Sequence, residues 1–335
     1  MAMTEKRKAV IIGTGGTIAG RAPTATDLSY SAAELSVDEL ILAVPGLPDL
    51  ADIVATNLFS LNSKDMGPTE WLKLAQAVET YAEDPTVSGI VVTHGTDTLE
   101  ETALFLELTL KTQKPVVITG SMRASTALSA DGPSNLYQAV QISVAQSSTG
   151  RGILVAFNGE IFSALRVIKG HSIGTNAFTA SVGGLMGSVY SGHTFFFVPK
   201  GFSSYHGAFH EVLIKSNQLP QVGVHYVTAG QNDGALVALQ ATNCSGLVVA
   251  ALGSGEIPDT LVPQLVSLAA DGLPIVISSR VSNVVVMPET MTLKESPNIV
   301  ASRHLNPQKS AVLLALVLAT QNNPEDVFSR LDSIG

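Results

Sequence analysis

The chain reads as an α/β protein: a large N-terminal domain on a mainly parallel sheet with flanking helices, then a smaller C-terminal α/β domain. Three observations predict this. Runs of β-branched and aliphatic residues alternate with helical patterns along most of the 335 residues, and such alternation implies parallel strands joined by right-handed crossovers. Twice an apolar run ends in a glycine turn carrying threonines, at Gly13-Thr14-Gly15-Gly16-Thr17 and at His94-Gly95-Thr96-Asp97-Thr98. From Phe195 to Leu219 the periodicity lapses into Gly, Ser, Tyr and His, closing at Pro220. That stretch divides the chain into 1–198, a linker 199–219, and 220–335.

Lys8 to Ile12 is a buried strand by its β-branched content, which puts Thr14 at its C-terminal end. Ligands bind at that edge of an open parallel sheet. A dinucleotide fingerprint would need glycine at Ile18, and no Gly-Lys-Ser/Thr follows, so a nucleotide site and a dehydrogenase are disfavoured. Arg21 to Ser36 is polar and surrounds Tyr30; it suits a mobile lid over the strand end, or an ordinary connection with Tyr30 as a packing aromatic. Val37 to Val44 is a short helix stopped by Pro45, and Ile53 to Leu61 a strand ending in Asn62-Ser63-Lys64-Asp65. Pro68 to Tyr81 is a helix with proline in its first turn. Ser88 to Thr93 is a second buried strand, entering the second threonine turn and the helix Leu99 to Leu110. Thr96 or Asp97 also suits a plain helix N-cap. Recurrence of the same strand, glycine and threonine arrangement favours a site.

Pro115 to Thr119 and Arg151 to Phe157 are further strands, flanking a loop Ser121 to Ala130 and a helix opening at Asp131-Gly132-Pro133. Ile161 to Thr179 is mixed and carries one conspicuous charge, Lys169. Beyond Pro220 the alternation resumes, with strands Val222 to Val227, Gly246 to Leu252 and Pro274 to Ser278. Helices are expected near Gly234 to Ala241, Pro258 to Ala270, Pro307 to Thr320 and Asp326 to Leu331. Gly253-Ser254-Gly255-Glu256 ends a strand as the threonine turns do.

Composition excludes several functions. A formal charge of −9 leaves no basic footprint for nucleic acid. The apolar run Ala311 to Ala319 falls short of the ~20 residues a membrane span needs. No leader is visible before Lys8, and Cys244 is alone, which together point to the cytoplasm and a fold held by packing. Cys244 reads as a buried thiol beside an apolar strand. His206 and His210 lie four apart without a His-Glu-x-x-His pattern, so a surface linker is expected rather than zinc. No metal and no cofactor are expected.

If the turns of the first domain meet at one sheet edge, Thr14, Tyr30, Ser63, Thr96, Asp97 and Lys169 converge. A threonine hydroxyl attacks only once a base takes its proton, and a lysine serves only when partly neutral. Such a set suits acyl transfer from an amide.

Gly13-Thr14-Gly15-Gly16-Thr17-Ile18-Ala19 and His94-Gly95-Thr96-Asp97-Thr98-Leu99-Glu100-Glu101 resemble both signature motifs of the bacterial L-asparaginase and glutaminase-asparaginase family. The similarity continues through Ser63-Lys64-Asp65-Met66, Asp131-Gly132-Pro133-Ser134-Asn135-Leu136 and Ser278-Ser279-Arg280-Val281 to Leu305-Asn306-Pro307-Gln308-Lys309. It implies a homotetramer, a dimer of dimers with sites shared between subunits, that hydrolyses a small-molecule side-chain amide to acid and ammonia without a cofactor. By resemblance Thr14 is the nucleophile with Tyr30 beside it on the lid. Thr96, Asp97 and Lys169 form a second triad that activates the attacking group. Ser63 and Asp97 hold the substrate's α-groups, and the backbone around Ser121 lines the amide side.

Three positions depart from the family pattern. Lys64 stands where glutamine is usual, and Glu256 where the neighbouring subunit usually supplies asparagine. The neighbour's usual acid falls on Met291 by ungapped counting, with Glu289 two residues earlier. Either Glu256 pairs with Lys64 across subunits and amino-acid binding survives, or the substrate lacks an α-ammonium. A binding protein that has lost catalysis is the alternative from another class, against which stand Thr14, Thr96, Asp97 and Lys169.

Overall fold

The structure, a computed structural model, describes residues 6–26, 31, 34–232 and 234–333. The chain forms two compact units, 1–207 and 208–335. In the first, chain order runs β1 (Lys8–Gly15), α1 (Val37–Leu42), α2 (Leu47–Leu50), β2 (Asp52–Leu61), α3 (Pro68–Glu83), β3 (Val87–Thr93), α4 (Leu99–Thr109), β4 (Val116–Thr119), α5 (Gly132–Val144), β5 (Ile153–Phe157) and β6 (Glu160–Ser163). The hairpins β7 (Val167–Lys169) with β8 (Phe178–Ala180), and β9 (Gly187–Tyr190) with β10 (His193–Phe196), follow.

Among the described residues the main sheet has the order β10-β9-β6-β5-β4-β3-β1-β2. It is parallel from β2 to β5 and antiparallel from β5 to β10. The central strands are covered on both faces, so they read as unbroken aliphatic runs: Ala9 to Ile12 and Ile90 to Val92 have no exposed surface. One face packs Ile11, Val91, Val117 and Leu154 against α5 (Leu136, Ala139, Val140) and against Val37, Leu40 and Leu47. On α3 and α4, Trp71 stacks on Phe105 at 5.5 Å between centroids.

Local chemistry sets the helix ends. Ser36 accepts the Glu39 N–H, and the Glu39 carboxylate takes the Ser36 N–H at 2.8 Å, a capping box that starts α1. Pro68 opens α3 where its missing N–H costs nothing.

The second unit contains α6 (Glu211–Lys215), β11 (Val222–Tyr226), α7 (Gly234–Gln240), β12 (Gly246–Ala251), α8 (Val262–Ala270), β13 (Ile275–Ser279), β14 (Ile299–Ala301), α9 (Pro307–Ala319) and α10 (Pro324–Ser329). Its sheet, β11-β12-β13-β14, is parallel throughout. A Cβ on Gly246 would fall 2.8 Å from Leu314, so α9 lies directly on β12. Among the described residues no helix is long and apolar enough to cross a membrane, and no group of three or more His, Cys, Asp or Glu could hold a metal.

Three local expectations change. The linker histidine is buried: the His206 side chain is 8% exposed, its Nδ1 lies 3.3 Å from Glu107 Oε2, and its Nε2 lies 3.1 Å from the Thr112 carbonyl. Glu107, buried in α4, also accepts the Ile153 N–H and the Ser203 hydroxyl, each at 2.7 Å. A carboxylate inside an apolar helix, Leu106-Glu107-Leu108, thus ties residues 203–207 into the first unit. Cys244 is half-buried, its thiol 3.9 Å from the Leu239 carbonyl. The stretch 161–179, read as mixed, is strand over much of β6, β7 and β8, paired antiparallel because its short connections reverse the chain but cannot cross over it.

Candidate active site

Parallel pairing brings the turns together. Gly13 is in register with Thr93, and Thr93 with Thr119, so β1, β3 and β4 release their chains side by side at one edge. The turns then interlock through glycines. Gly16 has φ +81°, and a Cβ there would lie 2.4 Å from Gly95 Cα. A Cβ on Gly95 would lie 2.5 Å from Ser63 Oγ, and one on Gly120 would lie 2.4 Å from the His94 carbonyl oxygen. The close approach of four chain segments therefore dictates which residues are glycine.

Lys169 enters from the last residue of β7. Its cross-strand partner Phe178 is buried edge-on against Phe157 at 4.9 Å, which fixes the hairpin. Lys169 Nζ donates to Thr96 Oγ1 at 2.9 Å and to Asp97 Oδ1 at 2.5 Å. The lysine side chain is 16% exposed and that of Asp97 is 62% exposed, so the ion pair sits at an opening to solvent. Thr96 is buried, and so is Thr14, whose hydroxyl donates to the Thr93 carbonyl at 2.9 Å. Ser63 is buried too: its Oγ accepts the Asp97 N–H at 3.3 Å and its carbonyl the Thr98 hydroxyl at 2.8 Å. Neither Thr96 nor Asp97 caps α4; Thr98 holds the N-cap position, without a side-chain capping bond. Ser121 leaves β4 fully buried, its hydroxyl donating to the Arg123 carbonyl at 2.7 Å. Tyr30 lies outside the described residues.

His94 carried no expectation, although it opens the second threonine turn. Its fully buried ring takes part in a chain of defined direction. Trp71 Nε1–H donates to Thr102 Oγ1 at 2.9 Å, leaving the Thr102 hydroxyl to donate to His94 Nε2 at 3.0 Å. His94 Nδ1 carries the ring proton and donates to the Gly95 carbonyl at 2.7 Å. Burial pulls the imidazole pKa down to about 4, against the weaker opposing effect of the Gly95 bond. The neutral ring pins the peptide that precedes Thr96.

Lys64 is exposed on the short turn Ser63–Asp65, its N–H held by Asn62 Oδ1 at 3.3 Å. Among the described residues no carboxylate pairs with its ammonium. In the second unit Glu256 is exposed, and its Oε2 accepts the Thr292 hydroxyl at 3.2 Å. Met291 packs into the core of that unit against Gly255, while Glu289 is exposed on the turn Pro288–Thr290.

A two-unit α/β fold whose first sheet ends in interlocked threonine turns around a lysine–carboxylate pair defines a class of amide-hydrolysing enzymes. Residues 8–200 match the family model described as Asparaginase, N-terminal, and residues 221–329 that described as Glutaminase/Asparaginase C-terminal domain. A glutaminase-asparaginase of Acinetobacter glutaminasificans is 38% identical over 96% of this chain and 98% of its own. A probable periplasmic L-asparaginase of Haemophilus influenzae is 37% identical over 94% and 89%. The crystal structure of a probable cytoplasmic L-asparaginase from Campylobacter jejuni superposes with a TM-score of 0.91 at 38% identity, covering 97% of this chain and 98% of that one. The chain belongs to the asparaginase family. It is accordingly an amidohydrolase, which disposes of the binding-protein and dehydrogenase readings.

Proposed function

We propose that this enzyme hydrolyses the side-chain amide of L-asparagine, with L-glutamine as a second substrate, using Thr14 as nucleophile and Lys169 as proton carrier. The observation that carries the reading is the double contact of Lys169 with Thr96 and Asp97, beside the turn that bears Thr14. The Thr14 oxygen attacks the amide carbon, and its proton passes through Thr96 and Lys169 to the leaving nitrogen. The C–N bond breaks, ammonia departs, and an ester to Thr14 remains. Water then adds to the ester under the same base, freeing the acid and restoring the hydroxyl. Asp97 orients the amine and, with Ser63, receives the substrate's α-groups. Backbone N–H groups and Thr96 stabilise the oxyanion, Tyr30 acts beside Thr14, and Ser121 lines the amide side. The assembly is a homotetramer, to be checked as four chain masses by sedimentation, and a cytoplasmic location is proposed with it, to be checked by cell fractionation.

Lys64 supports a second reading, in which the substrate is a monoamide without an α-ammonium. A lysine next to Ser63 with no carboxylate partner among the described residues of its own unit disfavours a cationic group nearby, unless Glu256 of a neighbouring subunit pairs with it. Ammonia release from L-asparagine, D-asparagine, L-glutamine and succinamate decides between them. Selective turnover of L-asparagine supports the first reading, whereas preference for succinamate overturns it in favour of the second.

A further inference from the structure

Asp131 occupies the N-cap position of α5, where a carboxylate ordinarily binds the first N–H groups of the helix. It makes no such bond. Its oxygens point to the loop after β4 instead: Oδ2 accepts the Met122 N–H and Oδ1 the Arg123 N–H, both at 3.0 Å. One turn along α5, the buried Asn135 turns to the same loop. Its Nδ2 donates to the Gly120 carbonyl at 3.0 Å and to Asp131 Oδ2 at 3.1 Å, and its Oδ1 accepts the Asn158 N–H at 3.0 Å. Every polar atom of the two side chains is thus engaged in holding residues 120–123 between the ends of β4 and β5.

The residue so held is Ser121. Its hydroxyl is taken by Arg123, yet its own peptide N–H and C=O have no protein partner among the described residues, although Ser121 has no exposed surface. Buried backbone groups are nearly always paired. Gly120, immediately before it, lies in contact with Thr96, since a Cβ there would be 3.5 Å from Thr96 Cγ2. A polar peptide without a protein partner therefore lies one residue beyond the contact with Thr96.

We propose that Asp131 and Asn135 are positioning residues for turnover, holding the 120–123 turn in the place from which, on the reading above, the Ser121 peptide lines the amide side and receives its –NH2. The proposal rests on the amide-hydrolysis reading above. It also separates two ligands, because the acid product carries no –NH2 for Ser121 to receive. The test uses Asp131→Asn and Asn135→Asp, each of unchanged size, with the amide of the panel that the parent enzyme turns over fastest. Steady-state kinetics give kcat and KM for that amide, calorimetry gives Kd for the matching acid, and melting reports the fold.

The expected result is a kcat lowered about 10- to 100-fold, as for a misplacement near 1 Å, with the acid's Kd within about twofold of the parent value, a change under about 0.4 kcal/mol. Asp131→Glu, which keeps both oxygens, should recover part of the loss. Parent-like kcat in both variants overturns the proposal. So does a loss of kcat matched by an equal loss of acid binding, which marks a general disturbance. If one variant melts below the assay temperature, the other decides. Normal turnover in Thr14→Ala would overturn the nucleophile and leave the clamp standing, so the two ideas fail separately.

Discussion

In the proposed mechanism Lys169 is the residue through which the others act, and its contacts define what its removal does. It is largely shielded from water and donates to a hydroxyl and a carboxylate at once, so a methionine of similar length keeps the packing and deletes only the amine. Lys169→Met is expected to lower kcat at least ~100-fold, the scale of a lost general base. Lys169→Arg should not rescue it, because a guanidinium does not give up its proton at neutral pH. Thr14→Ala is expected to abolish turnover while the fold stays intact, the loss of a buried methyl and of the hydroxyl bonded to the Thr93 carbonyl costing about 1–3 kcal/mol of stability. Ammonia release together with thermal melting checks all three. If the proposed pocket includes Lys64, Lys64→Gln should raise the ratio of kcat/KM for L-asparagine over succinamate about tenfold, or 1.4 kcal/mol. An unchanged ratio would mean that the exposed ammonium never meets substrate.

The interlocked turns belong to the element scale, and here the sequence was legible in one respect and silent in another. The strands and both threonine turns could be read because glycine and β-branched residues mark them, and parallel pairing then placed Thr14 and Thr96 on one edge. What could not be read is which glycine faces which chain. Gly95 takes no special φ in the structure; it is glycine because Ser63 Oγ and Gly16 Cα occupy the space of a Cβ. Asp131 was hidden for a related reason. A carboxylate before Gly-Pro at a helix start looks like a cap, and only the three-dimensional path of residues 120–123 shows that its oxygens go elsewhere. Gly95→Ala is expected to cost about 1–3 kcal/mol of stability through overpacking and to lower kcat besides, since Ser63 and Asp97 must shift together. Equilibrium unfolding and kinetics of that single variant check both effects.

At the scale of the whole molecule, stability should depend on pH through buried imidazoles in each unit. His94 is held neutral by burial, with its pKa near 4 against an ordinary 6.5. His225 in the second unit is also displaced downward by burial, with Gln231 opposing. Between pH 6.5 and about 4 the unfolded chain binds a proton that folded His94 refuses, so stability falls as pH falls through that window. Above 6.5 both states are neutral and below about 4 both are charged, so the dependence is confined to the interval. A pKa lowered from 6.5 to about 4 corresponds to roughly 3 kcal/mol in total. His94→Gln can still donate to Gly95 and accept from Thr102 but does not titrate. Urea unfolding of parent and variant across pH 4 to 7 is expected to differ in slope by about 1.4 kcal/mol per pH unit, with the His225 contribution common to both and cancelling. Identical slopes would show that His94 takes up its proton without opening the Trp71–Thr102–His94–Gly95 chain, and would remove the second threonine turn as the acid-sensitive point of the fold.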